Sequence, residues 1–325
     1  MSKSNEFNYG GQAVIEGVMM RGSKTLSVAV RNPAGDIVVH TEPLNARIYG
    51  GPVARLPFLR GLTLIWDALG LGIKSLMFSA DVALVDEDAE PLAEGEERPN
   101  AFQGPAEWGA ILISLSFSIA LFFVLPVFLA NLLEKWLGLT DSRLWGNFIE
   151  GMVRLALLVG YIWVIGFVPD IKRLYGYHGA EHKTINAYEA GAELTPASVA
   201  KYPLEHPRCG TAFLLTVVLI SILLYTVLPP MAIWLRVLTR ILFLPLIAGI
   251  SYEFLRFTAV NQQNPIIRFI TKPNLALQRL TTREPDEGML AVAIRAFQEM
   301  RSLEEGYQTT DAPVTLVETP VSEAI

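Results

Sequence analysis

The sequence contains four apolar runs, each long enough to cross the hydrocarbon core of a bilayer, which is about 30 Å thick. These runs are Trp108–Leu133, Ile149–Val168, Thr211–Leu228 and Val237–Phe257. Hydrophobic residues make up 51% of the 325 residues, an unusual share for a soluble protein. We therefore predict a mainly α-helical integral membrane protein with about four transmembrane helices, in which Pro126 and Pro245 are candidate kinks.

Lysine and arginine are distributed unevenly around these runs. Nine precede the first run, five lie between residues 171 and 208, and seven lie between residues 256 and 301. The other two connections hold only Lys135 and Arg143, then Arg236 and Arg240. Because cytoplasmic loops carry the excess of basic residues, both termini and the loop 169–210 are expected in the cytoplasm of a multi-pass plasma-membrane protein.

The rest of the chain divides into five segments around a transmembrane domain at 105–257. Residues 1–52 predict a small β-rich cytoplasmic segment, in which Leu26–Val30 and Ile37–Thr41 flank a turn-forming stretch and predict a β-hairpin. Residues 53–85 are apolar but carry several charges, which favours amphipathic helices at the membrane surface. Residues 86–104 are acidic and predict a flexible linker. Residues 258–303 predict a cytoplasmic amphipathic or helical segment, and residues 304–325 a disordered tail.

Charge and cysteine content exclude several classes of protein. The net charge is −6, and much of it lies in the acidic stretch Asp86–Glu97, so we expect no nucleic-acid partner. Cys209 is the single cysteine, so no intrachain disulfide can form. No early segment resembles a cleaved signal peptide. The expected partner is the lipid bilayer, and the sequence leaves the oligomeric state open.

Three of the four histidines fall in the loop 169–210, and two of them form the motif His178-x-x-Glu181-His182. On a helix, His178 and His182 lie on one face, at a spacing that lets two imidazoles bind one metal ion. The order H-x-x-E-H is that of the inverted zincins, in which the glutamate takes a proton from water. Gly191 is well placed to end such a helix. The alternative is a surface helix whose histidines only form hydrogen bonds.

A catalytic zinc ion needs a third protein ligand. His206 is the first choice, because it lies 24 residues past His182 and just before the third apolar run. Cys209 is the alternative, either as a thiolate ligand or as a small buried thiol. Glu205 reads more simply as a solvated carboxylate. Glu189 shares the helical face of the histidines but lies about 10 Å beyond His182, where it suits an orienting role.

Glu253 needs a separate explanation, because it lies within an apolar run where an ionised carboxylate is costly. It could form an ion pair with Arg256 or Arg154, or it could complete a His/His/Glu metal site with the histidine helix. Asp170, which precedes the motif, is interpreted either as a helix cap or as a residue that contacts a metal ligand without binding the metal itself. The early glycines, including Gly10 and Gly11, predict close packing of the backbone against the membrane part.

Several strings together resemble the YqhQ-like family, bacterial membrane proteins whose domain has no assigned function and whose members are often labelled metal-dependent enzymes. The resemblance runs from about Tyr9 to Met300. The strings are Gly11–Gly22, Tyr177–Ile185, His206–Thr211, Gly249–Glu253 and Gln278–Pro285. The positions that match the family pattern are Glu16, Arg21, His178, Glu181, His182, His206, Arg208, Cys209 and Glu253.

These observations lead to one hypothesis and one rival. The hypothesis is a zinc-type hydrolase at the cytoplasmic membrane interface, with a divalent metal held by His178, His182 and a third ligand. Glu181 would be the general base, and Arg208 would stabilise the developing oxyanion. Its substrate would be a membrane peptide or a lipid-linked group. The rival is a membrane scaffold or assembly factor in which the histidine loop is a structural metal site or a polar network.

Overall fold

The computed structural model describes residues 9–49, 51, 56–83, 105–138, 143–229 and 231–309. Over these ranges the chain is mainly helical, with one small antiparallel sheet near its N-terminus. The predicted acidic linker, 86–104, lies outside the described residues.

The sheet has four strands that pair in sequence order. They are β1 (Gly10–Val14), β2 (Gly17–Arg21), β3 (Thr25–Arg31) and β4 (Ile37–Pro43). β3 and β4 pair across the turn at 32–36, so the predicted hairpin is confirmed. The strands β1 and β2 were not predicted individually, because their glycines weaken the strand pattern.

Both faces of the sheet are covered, because successive side chains of a strand point to opposite sides. One face packs on helix α3 (Gly72–Ala83) through an apolar cluster that includes Met19, Val28 and Phe78. The opposite face packs on helices α7 (Pro169–Glu189) and α13 (Glu287–Thr309) through a cluster that includes Val18 and Met20. The N-terminal segment is thus a sheet between helical layers, and one of those layers carries the histidine motif.

Residues 53–85 contain the predicted helices. A short helix, α1 (Ala46–Tyr49), follows the sheet, and a π-helical turn at Asp67–Leu71 then joins α2 (Gly61–Trp66) to α3. One side of α3 contacts the sheet. Large apolar side chains remain exposed along the rest of α2, the π-helical turn and α3, namely Trp66, Leu69, Ile73 and Leu76.

Within the described residues the apolar runs form six helices, two of which are a bent pair. They are α4 (Pro105–Ile119), α5 (Leu125–Leu137), α6 (Arg143–Ile165), α9 (Gly210–Thr226) and the bent pair α10 (Ile233–Leu242) and α11 (Leu244–Val260). A π-helical turn at Ala120–Val124 joins α4 to α5 just before Pro126. α10 and α11 are bent by 45° at Phe243, next to Pro245. Irregular geometry therefore occurs at both predicted kinks.

Within the described residues, two to three helices have the length and hydropathy of a membrane span, where the sequence predicted about four. Two helices, Leu112–Leu137 and Trp145–Ile165, are long and apolar enough to cross a membrane, and the pair α10–α11 is a third only if the bent pair is one span. α9 is apolar but has 17 residues, which reach only about 25 Å at 1.5 Å per residue. Cys209 caps its start and Val227 its end, so the helix stops two residues before the apolar run does.

The C-terminal part of the described chain contains two long helices, α12 (Pro265–Thr281) and α13. α12 packs on α9, and α13 packs on both α7 and the sheet. α13 continues to Thr309, so residues 304–309 of the predicted disordered tail are helical, and the remainder of that tail lies outside the described residues. Glu304 is buried in α13, where its carboxylate accepts hydrogen bonds from the backbone of Ser23 and Lys24.

Candidate metal centre

The histidine motif lies on α7, whose ends follow from its sequence. Pro169 occupies the first turn, where its missing N–H costs nothing, and Asp170 adds a favourable negative charge there. Gly191, at φ +72°, follows the last turn and permits the left-handed conformation that ends the helix. The helix is polar in composition, yet more than half of its residues are buried. Its polar side chains are therefore held inside the protein.

Two glycines allow neighbouring segments to approach α7 closely. A Cβ atom at Gly179 would lie 2.1 Å from the carbonyl oxygen of Arg283, so this position admits the segment that leaves α12. A Cβ atom at Gly11 would lie 2.9 Å from Cγ of Glu181, so strand β1 can lie directly against the motif. The close packing predicted for the early glycines is therefore found at Gly11, and its neighbour is the histidine helix.

Three side chains converge at the middle of α7. Potential ligand atoms of His178, His182 and Cys209 all lie within 4.8 Å of one another. Sγ of Cys209 is 3.2 Å from Nε2 of His178, and the two imidazole rings have centroids 4.4 Å apart. Cys209 immediately precedes α9, and its sulfur also accepts a hydrogen bond from the backbone N–H of Thr211. The helix α7 and the residue that precedes α9 thus provide a compact set of two nitrogen donors and one sulfur donor.

The hydrogen bonds of the two histidines determine which nitrogen faces this cluster. Nδ1 of His178 contacts the carbonyl oxygen of Thr281 at 2.9 Å, and Nδ1 of His182 contacts the carbonyl oxygen of Leu204. A carbonyl oxygen only accepts, so each Nδ1 must carry its proton and donate it. The Nε2 atoms then face Cys209. This arrangement, with Nδ1–H donated to a backbone carbonyl, is characteristic of histidines that bind metals through Nε2.

Nε2 of His182 is the least satisfied atom of the cluster. It is buried and makes no hydrogen bond of normal geometry within the described part of the chain, although Sγ of Cys209 lies within 4.8 Å. A buried polar atom without a partner is costly unless it has another role. A metal ion at this position would satisfy it, so the donor set fits a bound cation.

The charges in the cluster are coupled. Burial alone would lower the pKa of His178, but the neighbouring Cys209 and Glu181 reverse this and raise the pKa to about 9. Burial alone would raise the pKa of Cys209, but the two imidazoles lower it well below its usual value. The pair therefore favours a thiolate beside an imidazolium. A thiolate is the form of cysteine that binds metals.

Glu181 stands beside the donor set and is itself buried. One of its carboxylate oxygens is 3.8 Å from Nε2 of His178. Glu181, His178 and Cys209 all line a cleft of about 420 Å³, and one wall of that cleft is strand β1 at Gly10–Ala13. A carboxylate, a metal-type donor set and an open space for a ligand therefore occur together.

His206, the first choice as third ligand, does not join the two histidines, whereas Cys209 does. The ring of His206 lies 5.7 Å from that of His182, and its Nε2 faces Glu189 at 3.9 Å and Arg208 at 3.4 Å. Arg208 also lines the cleft, with its guanidinium paired to Glu189. His206 and Arg208 thus form the rim of the site, and Glu189 holds them in place.

Glu253 is not part of the cluster, which corrects its assignment as a metal ligand. Its carboxylate forms an ion pair with Arg60 and accepts a hydrogen bond from the backbone N–H of Phe58 at 3.0 Å. Arg256 and Arg154 were the predicted partners of Glu253. Arg60 lies 193 positions from Glu253 in sequence, so spacing along the chain could not indicate this pair. Glu205 pairs with Arg279 at 2.9 Å near the surface, as expected of a solvated carboxylate.

Other residues that position the site could not be identified from the sequence. The side chain of Gln278 is fully buried and binds the backbone N–H and C=O of His206, each at 2.9 Å. Thr281 and Leu204 contribute only backbone carbonyl oxygens, so no residue type could have identified them. The string Gln278–Pro285, one of those that carry the family resemblance, packs on the histidine loop through Gln278 and through the backbone N–H of Arg283, which donates to the carbonyl oxygen of Tyr175.

Comparison with known proteins adds relatives of unknown function. The family model described as "Protein of unknown function (DUF1385)" matches residues 56–303. The chain is also 36% identical over 298 residues to "Uncharacterized protein YqhQ" of Bacillus subtilis (strain 168), which covers 91% of this chain and 93% of that protein. No solved structure matches the chain.

Proposed function

The chain belongs to the DUF1385 family of proteins of unknown function, and we propose that it is a membrane-embedded, zinc-type hydrolase that cleaves a peptide at the cytoplasmic interface. One observation carries this proposal. His178 and His182 both direct an Nε2 atom at Cys209, each oriented by a backbone carbonyl, at the edge of an open cleft. A structural metal site is usually closed by four protein ligands, whereas three ligands and an open position are typical of catalytic zinc.

The donor types favour zinc among the divalent metals. Imidazole nitrogens and a thiolate are the borderline-soft ligands that zinc binds, whereas calcium and magnesium prefer oxygen. His178, His182 and Cys209 would hold the ion. A bound zinc ion supplies Lewis acidity, which polarises a scissile carbonyl and makes water more acidic.

Glu181 would carry the proton during hydrolysis. Its carboxylate accepts a proton from the attacking water as the new C–O bond forms, and it returns that proton to the amine as the C–N bond breaks. The products are a carboxylic acid and an amine, and Glu181 ends in its starting state. Arg208, on the rim of the cleft, would stabilise negative charge that develops on the carbonyl oxygen.

Strand β1 favours a peptide over a lipid-linked group as the substrate. Within the described residues β1 is an edge strand, which pairs with β2 along one side and with no strand along the other. It also lines the cleft beside Glu181. An edge strand offers backbone N–H and C=O groups that can pair with an extended peptide. A peptide added to β1 would pass directly over the cluster, since Gly11 brings the strand against Glu181.

The proposed location rests on the apolar surface of the helices. The helices α4–α5 and α6 expose many large apolar side chains, among them Phe117, Phe128, Trp163 and Val164. Large contiguous apolar surfaces are rare on soluble proteins. The excess of basic residues near the histidine loop and the termini favours a cytoplasmic position for the cluster.

The experiment that tests the metal is elemental analysis of the full-length protein purified in detergent. We expect about one zinc ion per chain in the wild type and in His40→Ala, and none in His182→Ala. His40 is the matched control, because it is a histidine of strand β4 that pairs with Glu42, away from the cluster. A cobalt-substituted sample should show a thiolate-to-cobalt absorption band that Cys209→Ser abolishes.

Glu181→Gln then separates metal binding from chemistry. This variant should retain zinc but lose the ability to complement a strain that lacks the gene, because an amide cannot accept the proton. Equal complementation by wild type and Glu181→Gln would remove the catalytic role of the carboxylate. Absence of metal from the wild type would remove the hydrolase proposal and leave the membrane scaffold as the better hypothesis.

A further inference from the structure

The cleft beside the metal centre is polar at one end and apolar at the other. Arg208 and His206 line the polar end, and Leu174 and Phe213 line the apolar end. The proposed chemistry uses Glu181 and Arg208 and gives the two apolar side chains no role. They are therefore candidates for contact with the part of a substrate next to the reacting bond.

The helix α7 sets the order of these groups. Leu174 lies one turn before His178, so the two side chains share a helix face and are about 6 Å apart along the axis. Glu189 lies about 10 Å past His182 in the opposite direction, and its carboxylate forms an ion pair with Arg208. Along α7 the two histidines therefore separate the apolar end of the cleft from the polar end.

The start of α9 repeats this order. Arg208 immediately precedes Cys209, and Phe213 lies one helix turn after it. Each element that supplies a metal donor thus also carries a large apolar side chain at the same end of the cleft. Leu174 and Phe213 are both partly exposed, so a ligand in the cleft can contact them.

The apolar end of the cleft lies beside the helices with membrane character. α6, which is long and apolar enough to cross a membrane, ends at Ile165, nine residues before Leu174. Phe167 and Val168 lie between them and are 69% and 45% exposed. Phe213 belongs to the first part of α9, whose residues are mostly apolar. A peptide that enters the cleft from this end therefore comes from the membrane side.

Apolar surface at this end of the cleft favours an apolar substrate side chain. In an apolar pocket, one methylene group of a substrate changes selectivity about 10- to 200-fold. A charged side chain in the same place would lose its hydration without gaining a partner. The two side chains therefore suit the selection of a substrate rather than its chemistry.

We propose that Leu174 and Phe213 form a subsite for a large apolar side chain next to the scissile bond. The substrate is then a peptide segment at the point where it leaves the membrane. Alternate side chains of a peptide paired with β1 point to the face on which Gly11 meets Glu181, so one of them can enter this subsite. This inference rests on the proposed function, because it names the substrate class of the proposed hydrolase.

The test measures which peptide bonds the full-length, zinc-loaded protein cleaves in detergent. The probe is a synthetic library of unstructured peptides in which every pair of neighbouring residue types occurs, and mass spectrometry identifies the cleaved bonds. The selectivity ratio is the cleavage rate with leucine, isoleucine, methionine or phenylalanine at a given side of the bond, divided by the rate with alanine or serine there. Zinc content is measured on every sample.

Phe213→Ala is compared with Leu214→Ala, because Leu214 is the next residue of α9, is 42% exposed and does not line the cleft. We expect a selectivity ratio of at least about 10 in the wild type and in Leu214→Ala, and a ratio at least about fivefold lower in Phe213→Ala. Phe213→Lys should instead select aspartate or glutamate at the same position, because opposite charges attract. A variant that is only less stable lowers all rates together and leaves the ratio unchanged.

The outcomes distinguish this inference from the proposed function. Cleavage that requires Glu181 but shows no apolar preference, or a preference unchanged in Phe213→Ala and Phe213→Lys, overturns the subsite and leaves the hydrolase in place. Absence of zinc from the wild type, or of any cleavage that requires Glu181, overturns the hydrolase and the subsite with it. If Phe213→Lys fails to fold, Leu174→Lys adds the same charge at the other wall of the subsite and is judged by the same criteria.

Discussion

Replacement of Gly11 by alanine tests the contact between the sheet and the proposed general base. The new Cβ atom would lie 2.6 Å from the carbonyl oxygen of Met19 and 2.9 Å from Cγ of Glu181, whereas ordinary contacts begin near 3.4 Å. Because the oxygen of Met19 belongs to the backbone of β2, the strand itself must shift. Overpacking of this kind typically costs about 1–3 kcal/mol.

The same substitution should impair function more than metal binding. Glu181 must move by about 0.5 Å, and a misplacement of about 1 Å can reduce a rate about 100-fold, so we expect roughly a tenfold loss of activity. Zinc content should be unchanged, because neither close contact involves His178, His182 or Cys209.

The matched control is Gly10→Ala, because a Cβ atom at Gly10 has nothing within 4 Å. Thermal unfolding in detergent, zinc analysis and hydrolysis of the best quenched fluorescent peptide found with the wild type would be measured on both variants. Equal stability and activity of the two variants would refute the claim that β1 presses on Glu181. Loss of zinc in Gly11→Ala alone would show that the strand positions the metal ligands as well.

Three further predictions concern the cluster and its surroundings. Zinc affinity should fall about tenfold per pH unit below pH 9, because His178, with its pKa raised to about 9, must lose a proton before it binds the ion; titrations between pH 6 and 9 measure this. Glu253→Gln should leave the zinc content unchanged, since its carboxylate binds Arg60, and a loss of zinc in elemental analysis would contradict the assignment. Glu304→Ala should lower the free energy of unfolding by about 1–3 kcal/mol, because it removes the buried acceptor for Ser23 and Lys24, whereas the exposed Glu305→Ala should have little effect in the same thermal assay.

The stability of the metal-free protein should change little between about pH 6.5 and 9. The folded pair carries its proton on His178, whose pKa is raised to about 9, and none on Cys209, whose pKa is lowered well below its usual value. The unfolded chain carries one proton on the thiol instead, so both states bind the same number of protons in this range and stability falls only as the pH rises through about 9. A melting temperature in the presence of a chelator that fell steadily from pH 7 to 8.5 would contradict the coupling of His178 to Cys209.

Local patterns in the sequence were sufficient for several parts of the structure. The hairpin β3–β4 follows from two β-branched runs and a turn-rich stretch between them. The histidine helix follows from its spacing and from Gly191, whose conformation ends it. In both cases the determining interactions are between residues near one another in sequence, so no knowledge of the fold is needed.

Length and hydropathy predicted where the apolar helices lie, but not how many of them are long enough to span a membrane. The helix Gly210–Thr226 ends two residues before the apolar run Thr211–Leu228 does, because the chain leaves the helix at Val227. Its buried residues pack against α6, α11 and α12. Hydropathy records only that a segment avoids water, and burial against protein satisfies that requirement as well as lipid does.

The sequence by itself determined that the chain is mainly helical and rich in membrane-length apolar segments, and that His178, Glu181 and His182 share one helix. Only the tertiary structure decided that Cys209 rather than His206 joins the two histidines, and that Glu253 pairs with Arg60 instead. The physical reason is that the geometry of one helix turn brings His178, Glu181 and His182 together, whereas the positions of Cys209 and Arg60 depend on how separate helices pack. Residues 178 and 209 are 31 positions apart, and their 3.2 Å contact exists because α9 begins beside the centre of α7.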